Sequence, residues 1–147
     1  MEIKRDRAKR KLWLNQRKYV ETILQRSNTQ DSKSVKAPIP LGVRLSVEQC
    51  PKTQEEEEDM CRVPYASAVD SLIYVMVCTR PNIAHAVGVL SRFMSKPGKE
   101  HWTTVEQVFR YLCGTSDYGL CYQGRPGLER VLDIHGFVDA DWVGDLD

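Results

Sequence analysis

Residues 64–114, PYASAVDSLIYVMVCTRPNIAHAVGVLSRFMSKPGKEHWTTVEQVFRYLCG, decide the fold. Pro64 stands where a first helical turn tolerates proline, and Ala66, Val69, Ile73, Tyr74 and Val77 recur at helical spacing as far as Thr79 and Arg80. Pro81 opens a second helix in the same way, with Ile83, Ala84, Val87, Leu90, Ser91 and Met94 along it, until Pro97 and Gly98 break it. Trp102, Val105, Val108, Phe109 and Leu112 mark a third, which Gly114 terminates. Three amphipathic helices in succession predict a small bundle.

Upstream, residues 29–62 carry Pro38, Pro40, Gly42 and Pro51 among polar residues, with too few periodic apolar positions to bury against a core, and read as a linker. Within it, Thr53 followed by Glu56 fits a capping box, and the acidic run 55–59 suits a first helical turn, so a short helix over Gln54–Cys61 is expected. Ahead of the linker, Met1-Glu2-Ile3-Lys4 and Leu12-Trp13-Leu14 predict two strands of a hairpin joined by the basic turn 5–11. Asn15 is then placed to cap a helix whose Tyr19, Val20, Ile23 and Leu24 share a face, ending near Ser27 and Asn28.

Downstream of Gly114 the period changes. Residues 118–122 and 131–138 read as strands separated by the turn signal Gln123-Gly-Arg-Pro-Gly127. The second strand runs into Asp139-Ala-Asp141-Trp-Val-Gly-Asp145, and the sequence stops two residues later, which reads as a sheet cut short. The fold class is therefore α+β: an N-terminal β-hairpin and helix (1–28), the linker (29–62), a three-helix region (63–115) and C-terminal strands (116–147).

A hydrophobic content of 41% fits a globular chain, and no apolar run approaches the ~20 residues of a membrane helix. With no apolar leader in the first residues, the expectation is an intracellular protein, cytoplasmic or nuclear, neither secreted nor membrane-bound. Cys50, Cys61, Cys78, Cys113 and Cys121 are scattered without a Cys-x-x-Cys pair, so reduced thiols in or near a core are expected. Net charge is +1, yet Lys4, Arg5, Arg7, Lys9, Arg10, Lys11, Arg17 and Lys18 crowd the first segment.

The ordered blocks at Pro64-Tyr-Ala-Ser-Ala68, Leu72-Ile-Tyr74, Thr79-Arg-Pro-Asn-Ile-Ala-His-Ala-Val87, Leu90-Ser-Arg-Phe-Met94, His101-Trp102, Arg110-Tyr-Leu112 and Gly114-Thr115 resemble the region after the polymerase palm in copia-type retrotransposon reverse transcriptases. Met1-Glu-Ile-Lys4 and Leu12-Trp-Leu-Asn-Gln16 resemble the hairpin that follows that palm, and Phe137-Val-Asp139-Ala-Asp141-Trp142 resembles the opening of ribonuclease H. The resemblance implies a piece of a Pol polyprotein, from the end of the reverse transcriptase through its thumb and connection into ribonuclease H. The family role is RNA-templated DNA synthesis and cleavage of RNA–DNA hybrids.

Polymerisation in that family uses an adjacent Asp-Asp pair, which this sequence lacks, and two-metal phosphoryl transfer needs carboxylates to hold both ions. Matching the nuclease motif places one vestigial catalytic carboxylate at Asp139, with Asp139 and Asp141 as an incomplete metal pair. Magnesium belongs to the intact family enzyme; none is expected for this chain, which should be inactive alone. The implied partners are an RNA–DNA hybrid or other nucleic acid and the rest of a Pol polyprotein. Arg5, Arg7, Lys9, Arg10 and Lys11 are the candidate nucleic-acid contacts, with Trp13 nearby. A calcium loop at 139–144 fails at Val143; His135 reads as a plain strand or turn histidine with a metal ligand as the alternative, and His85 and His101 lack zinc-ligand spacing, so packing or surface roles are expected of them. Two positions depart from the family: Asp70 replaces a usual glycine, so that the helix has either to bury or to displace a carboxylate, and Asn82 replaces the usual aspartate after Thr-Arg-Pro.

Overall fold

Helix packing dominates residues 1–124, the part of the chain described by the computed structural model. Strands β1 (Glu2–Asp6) and β2 (Lys11–Asn15) form the expected antiparallel hairpin, with Lys4 opposite Trp13 and Arg5 opposite Leu12. Helices α1 (Arg17–Arg26), α2 (Gln54–Cys61), α3 (Tyr65–Cys78), α4 (Ala84–Ser91) and α5 (Lys99–Cys113) follow, and β3 (Gly119–Gln123) returns to pair antiparallel with β2. The sheet order is β1-β2-β3. The architecture is α+β, and no single described helix is long and apolar enough to cross a membrane.

One core unites the helices. Val20, Ile23 and Leu24 from α1, Val69, Leu72 and Val75 from α3, Ala86, Val87 and Leu90 from α4, and Val105, Val108, Phe109 and Leu112 from α5 are all buried. Each such side chain contributes roughly 1.5–3 kcal/mol by leaving water. The expected stripe of α3 is out of phase with the observed one: Tyr65, Val69, Leu72 and Val75 face inward, whereas Ala66, Tyr74 and Val77 face outward. This helix is apolar nearly all round, so periodicity alone does not fix its phase. Asp70 lies on the outward face and buries no carboxylate, the second of the two alternatives expected for it. Pro81–Ile83 forms a 3₁₀ turn ahead of α4, which ends at Ser91 rather than near Met94.

Residues 29–62 are not a loose linker. They lie along α5 in the opposite direction, pinned through backbone carbonyls: Cys113 Sγ donates to Gln30 at 3.3 Å, Arg110 Nε to Lys33 at 2.9 Å and Gln107 Nε2 to Ala37 at 3.3 Å. Farther along, His101, fully buried, accepts the Gly98 N–H on Nδ1 at 2.8 Å and so carries its proton on Nε2, which meets the Ser46 carbonyl at 3.2 Å. Leu45 and Met60 insert apolar side chains from this strap. Its close approach requires glycine at one point, because a methyl group on Gly98 would overlap the Gln49 carbonyl oxygen. The signal was weak in sequence because the strap bonds through its backbone, which no side-chain pattern encodes. The α2 capping box is present as expected, and the acidic run pairs outward through Glu57 with Lys96 and Asp59 with Lys99.

Candidate nucleic-acid interface

The hairpin tip is built by a carboxylate that serves the backbone. Asp6 Oδ1 accepts the Lys9 N–H at 3.0 Å, and Arg10 N–H reaches the Arg7 carbonyl at 3.3 Å, which closes the turn over 7–10, narrower than the expected 5–11. Arg10 adopts φ of 50°, a left-handed conformation that a non-glycine residue takes at some cost, and its carbonyl accepts the Gly124 N–H at 2.9 Å. The third strand thus stabilises the tip of the first hairpin.

Beside this tip lies a groove of about 1070 Å³ lined by Arg5, Arg7, Arg10, Lys11 and Tyr122 together with Asp6 and Leu12. Four of the five expected cations meet there; Lys9 is exposed but does not line the groove. Asp6 is the sole acidic residue among its lining residues, and that carboxylate is occupied in the turn. The aromatic partner differs from expectation. Trp13 lies under the Lys4 ammonium, 5.9 Å from its ring centre, whereas Tyr122, 54% exposed, presents its ring to the groove. Sequence reading missed Tyr122 because only the pairing of Leu12 with Tyr122 brings it across from the basic turn.

No residue of the three strands is buried. The sheet joins the helical body instead through a polar junction. The N-cap of α1 is Gln16, which makes no side-chain cap, rather than the expected Asn15; Asn15 lies one residue earlier, where its Oδ1 accepts the Arg17 N–H and its Nδ2 donates to the carbonyls of Asp117 at 2.8 Å and Tyr118 at 3.3 Å. Gln16, buried, accepts the Thr79 hydroxyl at 2.7 Å. Arg80, 2% exposed, donates Nη1 to the Thr115 carbonyl and Nη2 to the Thr115 hydroxyl, both at 2.7 Å. Its Nε reaches Asn82 Oδ1 at 3.1 Å, and the rings of Tyr111 and Tyr118 lie 5.6 and 5.4 Å from the guanidinium. Burial pushes the Arg80 pKa down. Every group that bonds this cation is neutral, so Asn82, which also donates to the Tyr111 hydroxyl at 2.7 Å, supplies an acceptor without a charge.

Among the described residues no three His, Cys, Asp or Glu side chains gather as a metal-binding group. Asp139, Asp141 and His135 lie outside the described residues. His85 is exposed on α4, and the five cysteines are free thiols, of which Cys61 and Cys121 are exposed rather than near the core.

Compared with known proteins, the chain is 50% identical over all 147 residues to the retrovirus-related Pol polyprotein from transposon TNT 1-94 of Nicotiana tabacum, of which it spans 11%. It is 34% identical over 145 residues to the retrovirus-related Pol polyprotein from transposon RE2 of Arabidopsis thaliana, of which it spans 9%. Over 88 residues, 60% of the chain, it is 48% identical to the secreted RxLR effector protein 161 of Plasmopara viticola, across 59% of that protein. No family model matches, and no solved structure matches. All 147 residues align with the tobacco transposon's polyprotein and 145 with that of RE2, and the chain belongs to the retrovirus-related Pol polyproteins of copia-type transposons.

Proposed function

We propose that this chain is a nucleic-acid-contacting, non-catalytic part of a reverse transcriptase and ribonuclease H polyprotein, acting inside the cell beside the rest of that polyprotein. The observation that carries the reading is the groove in which Arg5, Arg7, Arg10 and Lys11 converge beside the exposed ring of Tyr122. Cations release counterions from a phosphate backbone, and an aromatic face stacks on a base whatever its identity, a combination suited to a single strand or a strand end. The non-catalytic part of the reading rests on the absence of an adjacent aspartate pair from the sequence. Asp139 and Asp141 have the donor chemistry for magnesium, but two carboxylates on one segment do not by themselves make a two-ion site.

The test is anisotropy of a labelled ~20-nucleotide single strand and an RNA–DNA hybrid titrated with the full chain at several salt concentrations. Neutralising four phosphates gives a slope of log K against log salt of roughly −3. Replacing Arg5, Arg7, Arg10 and Lys11 together by Gln should abolish that salt-dependent binding; binding of undiminished strength in this variant would sink the interface. Hybrid cleavage in magnesium that disappears in Asp139→Asn would overturn the non-catalytic part.

A further inference from the structure

We infer that Arg80 is a positioning residue for the basic sheet, holding the groove in its orientation from the end of the sheet opposite the tip; the inference rests on the nucleic-acid reading above only for its binding readout. The sheet has no buried residue to seat it on the helices, so its orientation is set where it is tied. Among the described residues two connectors join it to the helices, 15–16 from β2 into α1 and 114–118 from α5 into β3, beside an exposed ion pair of Glu2 with Lys18 at 3.4 Å. Adjacent residues at the end of α3 grip both. Thr79 holds Gln16 of the first, and Arg80 holds Thr115 of the second with a two-pronged pair of hydrogen bonds. Asn15 closes the ring by bonding the carbonyls of Asp117 and Tyr118.

Burying a guanidinium whose hydrogen-bond acceptors are neutral is a poor way to gain stability, since the desolvation outweighs the attraction of the nearby Asp117 carboxylate. What the planar fork gives, and a point charge does not, is direction: both of its arms end on one residue, Thr115, fixing how the connector leaves α5. The lever is long. Strand β2 covers five residues, on the order of 17 Å, so a 20° loosening at the junction moves the tip by about 6 Å, nearly two phosphate intervals along a strand.

The experiment compares the full chain with Arg80→Lys, Thr115→Val and Asn15→Ala. Thr115→Val and Asn15→Ala leave the buried cation in place, and they carry the test if Arg80→Lys fails to fold. Amide hydrogen exchange reads the positioning without any ligand. Exchange at Leu12, Leu14, Leu120 and Tyr122 should accelerate about tenfold or more while Val105, Val108 and Leu112 stay protected, as expected for opening confined to one unit. Binding to the labelled single strand should weaken about five- to tenfold, with the binding-competent fraction unchanged and the salt slope reduced by about one phosphate. A purely structural role would lower the competent fraction and leave the slope alone. Unchanged exchange in the sheet, or equal acceleration in the sheet and α5, overturns the positioning role. A parent chain that does not bind overturns the nucleic-acid reading alone, and the exchange data still decide the role of Arg80.

Discussion

The helical body and the three-stranded sheet are held by different physics. In the body, residues such as Val69, Leu72, Leu90 and Leu112 are wholly removed from water and rigidity comes from close packing. In the sheet no residue is fully buried, β2 being half-buried throughout, and cohesion comes from ladder hydrogen bonds plus the junction of Asn15, Gln16, Thr79, Arg80 and Thr115. Apolar packing leaves little room for charge, Arg80 being held only by directed hydrogen bonds, whereas a sheet tied by polar bonds gathers Arg5, Arg7, Arg10 and Lys11 around one groove. On the proposed function, the two regions divide stability from recognition.

That division is broken most directly by Phe109→Ala, which empties the meeting point of α1, α3 and α5. The expected loss is about 3–5 kcal/mol in denaturant unfolding, with helical and sheet probes melting together because the body supports the sheet. A sheet that outlasts the helices would reverse the dependence. Gly98→Ala comes next: its methyl group drives the strap off α5, at about 1–3 kcal/mol, and trypsin should then cut at Lys33 or Lys36 faster than in the parent. Tyr65→Phe removes the hydrogen bond from the buried phenol to the Leu90 carbonyl, 2.9 Å, for a loss of about 1 kcal/mol.

The same tyrosine predicts a pH dependence. Burial pushes the Tyr65 phenol above its ordinary pKa, so its contribution is fully present below the unfolded value of about 10 and is lost as the pH rises through the folded value. Thermal melts of Tyr65→Phe should therefore fall less steeply than the parent above about pH 10; parallel slopes would refute this. The smallest effect sharpens the comparison at its seam. Asn82→Asp would give Arg80 a carboxylate and accept from the Tyr111 hydroxyl, to which Asn82 now donates, raising stability by about 0.5–1 kcal/mol, discounted because position 82 is exposed. A lower melting midpoint in that variant would show that Arg80 is already well served by neutral partners.

Local signals were legible in the sequence wherever one element sufficed to produce them. The hairpin, the capping box of Thr53 and Glu56, the proline starts and the glycine stop at Gly114 follow from short-range chemistry. The basic cluster was legible too, since charge along a short turn stays together whatever the fold. What was hidden depends on pairing across the chain. Tyr118 to Tyr122 read as the start of a separate C-terminal unit, yet Gly119–Gln123 completes the N-terminal sheet. Arg80 read as the end of a helix, because nothing local marks Thr115 as its partner, 35 residues away. Asn82 was visible as a departure, and the structure adds that the lost charge would have faced a buried cation.

The pairing of β2 with β3 also orders events in time. Lys11 meets Gln123 only after the whole helical body has been made, and at about 5–20 residues per second that interval lasts on the order of 5–20 s on the ribosome. Through it the hairpin waits with one open edge at Lys11–Asn15, while β1 guards the other with Glu2, Lys4, Arg5 and Asp6. A nascent chain slowed before β3 therefore offers its unpaired strand, flanked by cations, to any neighbouring chain, and the arrival of Gly119–Gln123 is the step that ends this exposure.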